Sequence, residues 1–424
     1  MSKRDRIAQE EIGPGLTLVS ERIPHFYSFS LGLFLNYGSR DEHIRDNGIT
    51  HLIEHMLFKG TARRSSLEIV KMIEGLGGSF DAFTSKETLV ILTKFLSEHL
   101  GRVFGLILEI LLESKFAVRD LKKEKSVVLE EIKSDEDDPG DYVFELLFKD
   151  LFPGHALGLP IAGTRESVDA ITSGTVRDYY RRILGQNTVI AVAGNFDPAE
   201  IMALARKRFR GRRFQDLGRH KPRPGRPAIT VQKKSEISQV HVLFGIPTVP
   251  YDSPLRRPLL LLNTALGGGM SSRLFQGLRE ETGLVYDVHS FIDFYSDCGV
   301  LGFYFVCDRN KLGAIAKRLH KIYRAIRRDG FTRDEIELAK TYLTGNLLLS
   351  MESSTNRMMR LGREMMYLNR ISTIEEMVDS VRTLNVDKIN ELIPTHLDLT
   401  RYSVAAIGPV TRPDITALHA DAAC

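Results

Sequence analysis

The sequence predicts an α+β protein built from a duplicated unit, and three observations carry that expectation. Strand-like and helix-like segments alternate along the whole chain. Four elements of the first half recur in the second at an offset that stays between 210 and 215 residues, as a duplication requires. Between the halves, Gly211 to Pro227 is rich in Arg, Pro and Gly and lacks apolar periodicity, so it reads as a linker. The expected division is therefore a module over 1–210, a linker over 211–227 and a homologous module over 228–424.

Size and composition agree with this. A chain of 424 residues, 43% apolar and 26% charged, can bury more than one core. Its longest apolar runs, such as Leu259 to Ala265, are too short for a bilayer, so no membrane partner is expected. The formal charge of +4, from 58 basic and 54 acidic residues, is too small to point to nucleic acid, although Arg206 to Arg226 is locally basic. Met1 to Arg6 holds no hydrophobic signal core, which predicts a cytoplasmic protein. Cys298, Cys307 and Cys424 are too scattered for a disulfide framework or a thiolate metal site and read as two core thiols and one near the tail.

In chain order, Leu16 to Val19 and Ser28 to Leu35 read as strands about a turn at Pro24 and His25. Ile49, Leu52, Ile53, Met56 and Leu57 then make one apolar helical stripe, bracketed by Gly48 and Gly60, with Asp46 or Asn47 as the expected cap. Ser65 and Glu68 form a capping box for a helix through Ile69, Met72, Ile73 and Leu76. Ser79 to Thr84 and Thr88 to Thr93 make a hairpin around Ser85, Lys86 and Glu87, and a helix follows with Val103, Phe104, Ile107, Leu108, Leu111 and Leu112 at core spacing. Arg119 to Ser134 is a charged helix anchored by Leu121, Val128 and Ile132. Glu124 and Glu131 share one of its faces, and Glu130 lies about 100° from Glu131. A helix through Tyr142 and Phe148, a buried strand over Asn187 to Gly194, and a helix capped by Asp197 and running to about Phe209 complete the half. In the second half, Val240 to Phe244 takes the place of Ser30 to Phe34, and Asp252 to Leu274 parallels Asp41 to Arg63. Phe331 to Glu335 echoes Phe116 to Asp120, and Ala405 to Pro409 echoes Val192 to Phe196.

The chemistry concentrates on His51, Glu54 and His55. On a helix the two imidazoles stand one turn apart on the same side, within reach of one zinc ion. From these residues alone, two satisfied histidines on a half-buried face is an equally good reading. The repeat separates the two. At an offset of 211, His51, Glu54 and His55 fall on Leu262, Ala265 and Leu266, and at 215, Glu124 and Glu131 fall on Ala339 and Asn346. A scaffold that accepts apolar or neutral residues at all five positions does not need the polar ones to fold, so they point to function. A hydrolytic zinc site wants three protein ligands and an open position, which makes Glu131 the expected third ligand. Glu124 would accept a hydrogen bond from the free ring nitrogen of a ligating histidine, and Glu54 would take the proton from an attacking water made acidic by the metal.

Gly48 to Thr61 with its inverted His-x-x-Glu-His order, Glu74 to Glu87, the run Glu124 to Glu131, and Leu266 to Tyr286 with its three glycines together resemble the pitrilysin-type (M16) metallopeptidases. Among these they resemble the mitochondrial processing peptidase-like branch. The resemblance covers nearly the whole chain. It implies tandem α+β modules, each a largely antiparallel sheet packed against helices, one zinc per chain, and a peptide substrate held in a clamshell chamber. This chain holds one pair of modules, so a homodimer or a heterodimer with a related subunit is implied. By analogy Arg279 and Tyr286 hold substrate or stabilise the oxyanion, against the plainer readings of an ion pair with Glu280 or Glu281 and a core strand residue. Asp81, Ala82, Phe83 and Thr84 would lie on the edge strand to which the peptide adds, with Asp81 where the family commonly has Asn. The expected function is thus a zinc endopeptidase of unfolded or oligopeptide substrates. The alternative is a non-catalytic subunit that grips peptides. A nucleotide enzyme built on Gly267, Gly268 and Gly269 is disfavoured, because no Lys-Ser/Thr follows them.

Overall fold

A computed structural model describes residues 7–216 and 218–419, which leaves Cys424 outside the described residues. The first unit contains β1 (Ile7–Gly13), β2 (Leu16–Arg22), β3 (Ser28–Leu35), β4 (Ser79–Thr84), β5 (Leu89–Leu96) and β6 (Thr188–Gly194), in the sheet order β1-β2-β6-β3-β5-β4. Only β2 and β6 run parallel. The strand β1 has no counterpart in the sequence reading. Its run IAQEEIG is mostly exposed and too polar to alternate, and its pairing with β2 is what makes it a strand.

Along β3 the side chains alternate between two buried faces. Leu31, Leu33 and Leu35 join the core under the helices, while Phe34 faces the other way with Val19, Val90 and Ala191. A sheet that is apolar on both faces needs a cover on both. The second cover is the helix Ser354–Leu368, which brings Met358, Leu361 and Met365 from far along the chain. It lies close because both surfaces have glycines there. A Cβ on Gly32 would sit 2.4 Å from Met358 Sδ, and one on Gly362 would sit 2.1 Å from the Phe34 ring.

The second unit contains β7 (Ile229–Lys233), β8 (Val240–Thr248), β9 (Asp287–Phe294), β10 (Gly299–Cys307) and β11 (Ser403–Gly408), in the order β7-β11-β8-β10-β9. This is the order β2-β6-β3-β5-β4 again, with the same single parallel pair. Even the exceptional backbone repeats. Gly194 and Gly408 have φ of 126° and 143°, and a Cβ would come within 2.4 Å of the Ser28 carbonyl oxygen and 2.6 Å of that of Gln239. Its second cover is Pro139–Leu151, the sequence mate of Ser354–Leu368, whose Val143, Leu147 and Leu151 pack with Leu243, Ala405 and Ile407. Each half of the sequence therefore lends one helix to the other's unit, which comprises 134–158, 221–348 and 374–424 in one case and 1–133, 159–220 and 349–373 in the other.

Two helices of the first unit frame the candidate site. Helix α1 (Ile49–Leu57) buries Ile49, Leu52, Ile53, Met56 and Leu57 almost completely, and α2 (Val118–Asp137) buries Leu121, Val128 and Ile132. Residues 212–216 and 218–228 form no helix or strand, yet Phe214 packs against the core and Arg219 is largely buried. Cys298 and Cys307 are both buried. Among the described residues, no helix is long and apolar enough to cross a membrane.

Candidate metal centre

The metal-centre geometry begins with how α1 starts. Its N-cap is Gly48, at φ 91°, where a Cβ would meet the Ala162 carbonyl oxygen at 2.3 Å. Asp46 and Asn47, the caps expected from sequence, are used otherwise: Asp46 accepts from the Tyr179 hydroxyl at 2.9 Å, and the Asn47 amide donates to Pro160 O and to Glu42. The capping acceptor is Glu42, which takes the N–H groups of Gly48 and Thr50, both at 2.8 Å, and so serves two orphan donors of the first turn. Burial pushes its carboxyl up to about 7, although these donors from Thr50, Gly48 and Asn47 pull the other way. Sequence reasoning missed Glu42 because it lies six residues ahead of the cap.

With α1 so fixed, His51 and His55 stand with ring centroids 4.6 Å apart and edge to face. From α2, Glu131 Oε2 lies 3.4 Å from His55 Nε2 and 4.0 Å from His51 Nε2. Ligand atoms from these three residues all lie within 4.8 Å of one another, and they are the one such group among the described residues. Zinc with tetrahedral bonds of about 2.0–2.2 Å needs ligand atoms roughly 3.3–3.6 Å apart, so two imidazoles and one carboxylate at these separations fit the ion with little movement. Glu131 is 43% exposed while the histidines are 18% and 17% exposed, so the group opens toward solvent on the Glu131 side. Burial, and secondarily His55, hold His51 down at about 4, so its ring is neutral and able to ligate across the physiological range.

The other candidates from the first half gather around this group. Glu124, buried on α2, lies 3.4 Å from His55 Nδ1 through Oε2 and 2.8 Å from Lys59 Nζ through Oε1. Such a contact fixes which ring nitrogen points to the ion. Lys59 is a second residue that sequence reasoning passed over; it follows His55 by four residues, just past the end of α1. Glu54 is turned toward β4, where the Thr84 hydroxyl donates to Oε2 at 2.6 Å. Burial pushes its carboxyl up to about 7, with Asp81 and Glu131 adding to the rise and Thr84 opposing it. A carboxylate so poised exchanges protons readily near neutrality.

Thr84 thus contacts the acidic group of the site from the edge strand. Ala82 is buried, Asp81 is exposed with Oδ1 accepting from the Ala82 N–H at 2.8 Å, and Phe83 packs against the outer core face. Phe58, at the end of α1, meets Phe80 edge to face. Arg279 and Tyr286 lie in the other unit. Arg279 lies 3.9 Å from Asp287 rather than against Glu280 or Glu281, and also covers the Phe275 ring. Tyr286 is 74% exposed and is not a core residue.

Comparison with known proteins matches this architecture. Residues 17–165 match the family model described as insulinase (peptidase family M16), and residues 170–343 match that of the peptidase M16 inactive domain. An uncharacterized zinc protease of Mycobacterium leprae is 36% identical over 402 residues, covering 93% of this chain and 90% of the relative. One of Bacillus subtilis is 34% identical over 396 residues, covering 93% and 96%. Among solved structures, a peptidase M16 inactive domain from Pseudomonas fluorescens superimposes with a TM-score of 0.88 at 21% identity, covering 96% of this chain and 98% of the other. A protease from Helicobacter pylori does so with 0.87 at 19%, covering 95% and 99%. At these identities the structures speak to fold alone.

Proposed function

The chain belongs to peptidase family M16 and is a zinc metalloendopeptidase; we propose that it cleaves unfolded or oligopeptide substrates within a clamshell chamber completed by a second M16-type chain. One observation carries the reading. The first unit alone concentrates His51, His55, Glu131, Glu124 and Glu54, at spacings that suit one zinc ion and a neighbouring acid-base group. Their sequence mates are Leu262, Leu266, Asn346, Ala339 and Ala265.

In this reading His51, His55 and Glu131 hold one zinc ion per chain, and Glu124 orients His55. Zinc, when bound, supplies Lewis acidity that polarises a peptide carbonyl and lowers the pKa of water. Glu54 takes the proton of the attacking water and passes it to the departing amine, with Thr84 steering its carboxylate. Residues 81–84 receive the substrate as an added strand, since β4 is the edge of its sheet. Arg279 and Tyr286 bind substrate or the developing oxyanion. Membership of the mitochondrial processing peptidase-like branch is part of the proposal. Cytoplasmic residence and pairing as a homodimer or heterodimer are also part of the proposal, and cell fractionation and solution mass test them.

The decisive experiment is hydrolysis of a broad peptide library by the zinc-loaded chain and by Glu54→Gln. Cleavage by the parent and loss of it in the variant, with about one zinc per chain in both, supports the reading. Equal cleavage by both would sink the mechanism.

A further inference from the structure

We propose that Arg219, from the irregular segment between the two sequence halves, is a positioning residue for the metal centre. It locks together the loop that caps α1 and the hairpin end that carries Thr84. Arg219 Nε and Nη2 donate to the two Asp41 oxygens at 2.8 and 2.9 Å, and Nη2 also donates to the Glu87 carbonyl at 2.7 Å. Arg40 completes the clamp, donating to the Glu87 carboxylate at 2.6 Å and to the His220 carbonyl at 3.1 Å. Arg40 and Glu87 are each 1% exposed, and Arg219 and Asp41 13% and 15%.

Both elements held by this clamp end on the site. Asp41 is followed directly by Glu42, which caps the turn carrying His51. On the other side, Glu87 lies in the tight turn after Thr84, whose hydroxyl holds Glu54. A rigid fork that fixes Asp41 and Glu87 against each other therefore fixes the relative placement of the first zinc ligand and the proton-transfer carboxylate.

Two observations separate this role from mere stability. The main chain already joins the loop to the hairpin, through Ser39 N to Ser85 O at 3.1 Å and Arg40 N to Lys86 O at 2.9 Å. The second unit makes the like contact, Tyr251 N to Tyr295 O at 2.8 Å. With Gly194 and Gly408 as mates, the strand registers give offsets of 211 for β3 and β8 and 212 for β5 and β10. At these, Arg40 falls on Tyr251 or Asp252 and Glu87 on Cys298 or Gly299. Buried ion clusters are in any case a poor means to stability alone, since apolar replacements often serve as well. The Arg40 and Glu87 pair of the clamp thus accompanies the zinc-type residues and has no Arg–Glu counterpart at the matching positions of the second half.

The inference rests on the metal-centre reading, and its test does not depend on peptidase activity alone. Zinc affinity by chelator competition, kcat and KM are measured for the full chain and for Arg219→Met, Arg219→Lys and Arg213→Met, each well below its own Tm. Arg219→Met is expected to weaken zinc binding about 10-fold and to lower kcat by about 10- to 100-fold with KM within about twofold, as misplaced supporting groups do. Arg219→Lys, which keeps the charge and loses the fork, is expected to fall between, and the exposed Arg213→Met to match the parent. A lowered Tm with zinc affinity and kcat unchanged would overturn the proposal. Where Arg219→Met does not fold, Arg219→Lys decides on the same readouts. Where the parent cleaves no peptide, zinc affinity still decides it, and that outcome counts against the peptidase reading instead.

Discussion

The two units carry the same five-strand topology, and helix α1 of the first corresponds in sequence to Arg256–Gly267 of the second. Their interiors make opposite choices. In the second, Leu262, Ala265 and Leu266 are buried and pack into the core. In the first, His51 and Glu54 take the corresponding places, half-buried, with His51 Nδ1 buried and without a hydrogen-bond partner. An orphaned polar atom and a carboxyl pushed up to about 7 are costs to the metal-free fold. The comparison teaches that the duplicated scaffold keeps its stability in residues common to both units and spends some of it in one unit on chemistry.

Removing zinc with a chelator is expected to abolish peptide cleavage, and adding back about one equivalent to restore it. Retained cleavage in the chelated protein would remove the functional side of the contrast. Glu54→Gln is expected to lower kcat by about 10²- to 10⁴-fold, the usual contribution of a positioned acid-base group, while zinc content stays unchanged. Glu124→Gln is expected to weaken zinc binding by roughly 10- to 100-fold, as loss of a ligand's hydrogen-bond partner does. Lys59→Met is expected to do the same more weakly, both read by chelator competition.

The contrast also has a stability side. Exchanging His51, Glu54 and His55 for the Leu, Ala and Leu of the second unit, with Glu124→Ala and Glu131→Asn, is expected to leave the metal-free Tm unchanged or higher. A fall of more than about 5 °C, roughly 4 kcal/mol for a chain of this size, would mean that the polar set has a structural duty after all. The smallest effect is in the pH dependence. Glu54 rises from 4.5 unfolded to about 7 folded, so across that window the metal-free native state binds the extra proton and this group's contribution falls as pH rises. His51, lowered from 6.5 to about 4, works in the opposite sense, its contribution being lost as pH falls through that window. The metal-free Tm of Glu54→Gln should therefore rise more steeply between pH 5 and about 7 than that of the parent.

Much of the site was legible because its signals are local. His51, Glu54 and His55 sit on one helical turn, so spacing alone places them together, and the face shared by Glu124 and Glu131 follows from helical geometry. The contrast with Leu262 and Leu266 then turned a short pattern into a functional asymmetry. The strand β1 was not legible, since pairing rather than pattern makes it a strand. Nor were the parts that act across long sequence distances: Glu42 as the true cap, Thr84 as the partner of Glu54, and Arg219 closing on Asp41.

The sequence by itself thus determined the duplication, the zinc-type ligand set and the module that bears it, because these depend on periodicity and on differences between repeats. Only the tertiary structure decided that each unit borrows the other half's helix, Ser354–Leu368 in one and Pro139–Leu151 in the other. Only the tertiary structure, likewise, brought Glu131 to 3.4 Å from His55. The reason is physical: a helix's own pattern fixes which face is apolar, whereas the surface that face meets is set by the competition of all the other faces for cover.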